Sequence, residues 1–96
     1  MKPLTQILQA TGFRRTSSSS AALRLSQGTV TRSRWEMTDN YGKTAVVEVW
    51  QENDDDECAT LQPGTRLACH GIVNAEDLQK ALDFHLIEIT VKTPMP

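Results

Sequence analysis

The chain has 96 residues, enough for one small domain and too few for a second core. Hydrophobic residues make up 39% and aromatic residues only 5%, so the interior must rest mainly on Val, Leu, Ile and Ala; no apolar run approaches the roughly 20 residues that span a bilayer. The formal charge of -2 conceals an asymmetry: residues 1–47 carry seven basic and two acidic side chains, a balance of +5, whereas residues 48–96 carry three basic and ten acidic, a balance of -7. The first half therefore favours a partner of negative charge, or the unlike halves favour self-association. The opening "MKPLTQILQATG" has one lysine followed by an interrupted apolar stretch, unlike a signal-peptide core, and the expectation is a soluble, cytoplasmic protein.

In chain order, Leu4, Ile7, Leu8 and Phe13 fall at near-helical spacing, with Pro3 suited to the first turn and Gly12 to a stop, which predicts a short N-terminal helix. "RRTSSSS" follows and offers nothing to a core, so it reads as a linker. Its Arg14 and Arg15 are either solvated surface or a pair able to reach a phosphate backbone. Residues 1–20 thus form a helix and a Ser-rich linker, and residues 21–96 the main domain.

From Ala21 the period changes to two. "ALRLS" and "GTVTRSRWEM" read as strand, kinked at Gly28; Val30, Arg32, Arg34 and Glu36 share one face, and Thr31, Ser33, Trp35 and Met37 the other. "TDNYGK" is a hairpin signal, and "TAVVEVWQE" is the returning strand, with Ala45, Val47 and Val49 on its apolar face and Val46, Glu48 and Trp50 opposite. The acidic run Asp54 to Glu57 lacks the glycine and alternating oxygen ligands of a calcium loop and reads as a solvated loop. "TRLACHGIV" predicts a third strand with Leu67, Cys69 and Val73 inward and Arg66 and His70 outward. "NAEDLQKALDF" predicts a helix capped by Asn74, and "HLIEITVKT" a last strand with Ile87, Ile89 and Val91 on its apolar face. Short alternating strands with glycines at bends and one interposed helix describe a mainly β protein with short helices, a small curved antiparallel barrel.

A glycine-containing first strand, a hairpin to the second, and "LQPGTRLACHGIV", Leu61 to Val73, with its two glycines bracketing alternating hydrophobic residues, give the chain a resemblance. Over roughly residues 22–92 it resembles the OB-fold, and in particular small bacterial single-stranded-DNA-binding and primosomal replication proteins; it departs from them by the helix before its last strand. The resemblance implies a binding face around the second and third strands, where cations follow phosphates and aromatic rings stack on bases. Candidates of the right type are Arg32, Arg34, Tyr41, Lys43, Trp50 and Arg66. Strand parity favours the core for Trp35 and, if Val47 and Val49 face the core, turns Trp50 outward, so that each tryptophan is either a core or a contact residue; Glu48 and Glu52 could neutralise Arg32 and Arg34 across the hairpin.

Cys58 and Cys69 do not make a disulfide framework, no CxxC or HxxxH cluster points to zinc, and Cys69 and His70, adjacent on a strand, point apart. Without a phosphate-cradling glycine loop, GxSxG or HExxH, the sequence implies neither enzyme nor cofactor. Two readings follow. One is a single-stranded nucleic-acid-binding module, with homodimer formation through an exposed edge-strand tryptophan; the other is a protein-interaction adaptor or inhibitor that uses the acidic loop and Trp50.

Overall fold

A computed structural model describes residues 3–22, 28–52 and 56–93. The two strongly alternating runs become β2 (Thr29–Thr38) and β3 (Thr44–Glu52), paired antiparallel with Arg32 opposite Trp50 and Trp35 opposite Val47. Their parity is the expected one. Ser33, Trp35, Ala45, Val47 and Val49 are buried on one side, and Arg32, Arg34 and Trp50 are exposed on the other. The turn is built by Asp39, whose Oδ1 accepts from the backbone N–H of Tyr41 (2.8 Å) and of Lys43 (2.9 Å). Gly42 completes it at φ +84°, a conformation that side chains with a Cβ rarely adopt.

The sheet extends from this hairpin in both directions. β1 (Arg14–Ala22) pairs with the outer side of β2, and β4 (Cys58–Leu61) and β5 (Cys69–Ile72) follow beyond β3, all antiparallel, in the order β1-β2-β3-β4-β5. Among the described residues β1 and β5 do not pair, so the sheet is an open meander and the expected barrel does not close.

Two further expectations are corrected, and a third falls largely outside the described residues. "RRTSSSS" is not a linker: it is the greater part of β1, held by its backbone ladder to β2 while every described side chain from Arg14 to Ser20 is solvent-exposed. Of the strand expected at Ala22–Ser26, Ala22 is the last residue of β1 and residues 23–27 lie outside the described residues, as do Asp54 and Asp55 of the acidic run. The third strand, expected over Thr65–Val73, is confined to β5: an unexpected strand, β4, begins directly after the acidic run, and a loop over residues 62–68 leads to β5, leaving Leu67 and Val73 exposed rather than inward. Gln62 stands in for the missing ladder, donating from Nε2 to the Thr44 carbonyl (3.0 Å) and accepting at Oε1 from the Val46 N–H (3.1 Å).

One face of the sheet is covered. α1 (Leu4–Thr11) buries Leu4, Ile7 and Leu8, and α2 (Ala75–Phe84) buries Leu78, Ala81 and Leu82, joining Phe13, Trp35, Val47, Val49, Leu61 and Ile72 in one core. Gly12 ends α1 at φ +120°, where a Cβ would stand 3.3 Å from Met37 Cε. The Asn74 side chain caps α2 by accepting from the Asp77 N–H at 2.8 Å, as expected.

The predicted last strand has the right buried residues, Ile87 and Ile89, but joins no ladder. Its Ile87 and Ile89 N–H groups donate to the Leu82 and Ile87 carbonyls, and three side chains bond further backbone groups of the segment. Asp39 Oδ2 accepts from the Glu88 N–H (3.0 Å), Gln79 bridges the Ile89 carbonyl (3.0 Å) and Val91 N–H (2.8 Å), and Thr11 Oγ1 accepts from the Lys92 N–H (2.9 Å).

Candidate nucleic-acid interface

The face of the sheet turned away from the helices is a grid fixed by strand register. One row reads Ser19, Arg32, Trp50, Cys58 across β1 to β4, and the next reads Ser17, Arg34, Glu48, Thr60. Arg14, opposite Glu36, belongs to the same face, because it shares the parity of Arg34 across the β1–β2 ladder.

At the centre, the Arg32 guanidinium lies over the Trp50 ring with Cζ 5.3 Å from the ring centroid. Its Nε is 3.8 Å from Glu48 Oε1, an oxygen that also accepts from Trp50 Nε1 at 3.4 Å. Arg34 pairs along its own strand with Glu36, Nε to Oε2 at 3.6 Å. The expected neutralisation by Glu48 therefore occurs at Arg32. Glu52 takes no part in it, because the register sets it opposite Val30. Ion pairs with this exposure contribute about 0.2–1 kcal/mol each, and the exposed cation–π contact about 0.5–1 kcal/mol. Both are weak enough for a phosphate to compete for the guanidinium groups.

The six predicted residues divide into two sets. Arg32, Arg34 and Trp50 converge on the open face, with Trp50 40% exposed. Tyr41 and Lys43 occupy the hairpin turn, about 20 Å along β3 from Trp50 at 3.3 Å per residue. The loop carrying Arg66 is tied to that same end by Gln62. Lys43 is drawn toward the covered side, its Nζ donating to the Leu86 carbonyl at 3.2 Å. Tyr41, Lys43 and Arg66 are thus not part of the Arg32–Trp50 cluster.

Sequence reasoning missed Ser17 and Ser19, whose hydroxyls extend both rows, and it kept Arg14 and Arg15 together on a linker. The β1 register separates that pair: Arg15 lies opposite Trp35 and turns to the covered side. No apolar alternation marks β1, so no signal in the sequence would have placed these residues on a strand.

On the covered side, a cavity of about 300 Å³ opens between α1 and the inner surface of β1–β3, where Gln6, Gln9, Arg15 and Ser18 meet an edge of Trp35 and Glu57. Burial pushes the Glu57 carboxyl above its ordinary range, and the hydrogen bond from Thr5 Oγ1 (3.2 Å) opposes that shift. Trp35 is 7% exposed and its Nε1 donates to Ser33 Oγ at 2.9 Å, which makes it the core residue that parity indicated.

Cys69 and His70 lie on successive strand positions and serve different neighbours: His70 Nδ1 is 3.5 Å from Thr60 Oγ1, and Cys69 Sγ is 4.0 Å from the Leu67 carbonyl. Both cysteines are free thiols. Among the described residues no three His, Cys, Asp or Glu side chains gather as a metal site, and no helix is long and apolar enough to cross a membrane. The chain matches no protein-family model, no curated protein and no solved structure.

Proposed function

We propose that the protein is a non-catalytic, cytoplasmic nucleic-acid-binding module that takes single-stranded DNA across the open face of β1, β2 and β3, in replication or a related process. The observation that carries this reading is the convergence of Arg32, Arg34 and Trp50 on adjacent strands, with Arg14 and the hydroxyls of Ser17 and Ser19 extending the same face. Arginines and hydroxyls follow phosphates, and the half-exposed indole offers a surface on which a base stacks without regard to sequence. The resemblance to OB-fold binding proteins supports the same strands, since in that fold the second and third strands form the binding face. The reading needs an open sheet face and does not depend on barrel closure.

The test is a salt titration with a labelled oligothymidylate. Three arginine–phosphate contacts correspond to a log–log slope of about -2, so affinity should fall roughly twentyfold between 50 and 200 mM salt. Base stacking should quench Trp50 fluorescence, and Trp50→Phe should remove that quench. Absence of binding at 50 mM salt refutes the reading.

A protein-interaction module is the second reading. Charge balance favours it: by parity Glu36, Glu48 and Glu52 share the open face with Arg14, Arg32 and Arg34. A face of mixed charge around an exposed tryptophan suits a protein surface of complementary pattern. Binding that persists at 200 mM salt and is lost in Trp50→Ala identifies this case.

A further inference from the structure

Trp50 lies on β3, in the interior of the sheet, so it is not the edge-strand residue through which a homodimer was expected. The free edges are β1 and β5, and they differ. β5 has four residues and lies against α2. β1 has nine, and among the described residues no strand pairs with its outer side.

Unpaired edges are normally protected by shortness, proline, charge or a bulge. In β1 such protection is confined to its beginning, where Arg14 and Arg15 precede a register shift at Thr16. From Ser17 to Ala22 there is no charge, no proline and no further irregularity. The described side chains of this strand are all exposed, and it is held by one backbone ladder together with the Thr16 Oγ1 bond to the Arg34 carbonyl (3.3 Å) and the Ser20–Thr31 hydroxyl pair (3.3 Å). A second ladder would satisfy the remaining edge groups at little further cost in ordering.

We propose that the protein forms a homodimer by antiparallel pairing of β1 with β1 of a second copy, about a two-fold axis normal to the sheet at Ser19. Ser17 then faces Ala21 of the second copy, Ser18 faces Ser20, and Ser19 faces its own counterpart. Arg14 and Arg15 stay outside the paired stretch. A head-to-tail contact between β1 and β5 is limited to the four residues of β5. An axis normal to the sheet keeps both open faces on one side, making a continuous ten-stranded sheet. The register Ser19–Arg32–Trp50 is then doubled into one line: Trp50, Arg32, Ser19, Ser19, Arg32, Trp50. At about 4.8 Å per strand, the two Arg32 positions stand roughly 14 Å apart and the two Trp50 positions roughly 24 Å apart.

The arginines of β1 and β2 from both copies flank the axis, so their repulsion opposes association. Salt should therefore tighten the dimer, the reverse of its effect on oligonucleotide binding.

The experiment is sedimentation velocity of the full chain without nucleic acid, over a concentration series at 50 and 300 mM salt. A concentration-dependent dimer, severalfold tighter at 300 mM, is expected. Ser19→Lys and Ser19→Glu place like charges opposite one another and should each weaken the dimer at least tenfold, while an equimolar mixture of the two should restore a heterodimer. Circular dichroism checks that each variant remains folded, and hydrogen exchange at residues 17–20 should slow with dimerisation in the wild type. A monomer up to millimolar concentration, open-ended oligomers, or a dimer indifferent to both Ser19 variants overturns the proposal. Because no nucleic acid is present, these outcomes are independent of whether the open face binds DNA.

Discussion

Trp35 and Trp50 occupy the same hairpin, on opposite faces of one sheet, and the contrast between them separates a packed face from a solvent-facing one. Trp35 has spent its polar handle on Ser33 and packs with Val47 and Val49 beneath the helices. Trp50 faces solvent with an arginine on its ring and a carboxylate near its nitrogen. Residue type is equal in the two cases, so the difference comes entirely from register and from which face the helices cover.

The largest expected effect sharpens that contrast. Trp35→Ala should destabilise the fold by about 3–5 kcal/mol, the range for removing a buried large aromatic side chain. Trp50→Ala should cost about 1 kcal/mol or less, since only an exposed stack and a weak hydrogen bond are lost. Urea unfolding of both variants checks the difference. Equal losses would break the division of the sheet into a packed face and an open one.

Next in size is the hold on the covered face. Both Asp39 oxygens are in use, Oδ1 within the turn and Oδ2 on Glu88 of the C-terminal segment. Its carboxyl is held below the ordinary 3.8 chiefly by the Glu88 N–H; burial opposes the shift, and the Lys43 and Tyr41 N–H groups add to it. The carboxylate therefore stabilises the fold fully above pH 3.8, and that contribution disappears as pH falls through the lower folded-state value. Asp39→Asn keeps an acceptor for the turn but sets an amide donor against the Glu88 N–H. The expected result is lower stability at neutral pH, faster hydrogen exchange at Glu88, and loss of this acid-dependent step. Among the described residues the open face has no counterpart to such a clip, and its pairs should leave thermal unfolding nearly unchanged.

The same division explains what could be read from the sequence. Parity along residues 29–52 located both faces of β2 and β3, because one side of each strand is packed and the other wet. Helix signals at Pro3, Gly12 and Asn74 worked because they are local backbone chemistry. β1 escaped notice because its described side chains, Arg14 to Ser20, are exposed on both faces, which leaves no apolar alternation to mark the strand. Residues 87–91 were misassigned for the converse reason: the alternation of Ile87 and Ile89 reports burial, and burial does not distinguish a ladder partner from Asp39, Gln79 and Thr11 side chains. The OB-like glycine pattern at Leu61–Val73 fell across a loop and two short strands. The candidate site was legible for Arg32, Arg34 and Trp50, which share one parity, and not for Tyr41, Lys43 and Arg66, chosen by residue type alone.

Within the open face, changing Arg32 and Arg34 together to Ala should reduce oligothymidylate affinity by about tenfold or more at 50 mM salt and flatten the salt slope by about 1.4. The urea midpoint should stay within the small range of surface substitutions. A fall in stability comparable to that of Trp35→Ala would place these arginines with the packed face.

The smallest effect discriminates most between the two functional readings. Glu48→Gln removes the carboxylate beside Arg32 and Trp50 Nε1 while leaving a side chain of the same size. If the guanidinium serves phosphates, its release from Glu48 and the loss of a nearby negative charge should tighten oligothymidylate binding about two- to fivefold, an effect that shrinks as salt rises. If the face instead meets a protein of complementary charge, the same change deletes one side of the pattern, so partner binding weakens and the oligonucleotide does not bind. The sign of the change carries the information. Arg32 is engaged by Glu48 in either case, and only the nucleic-acid reading makes that carboxylate a competitor of the ligand.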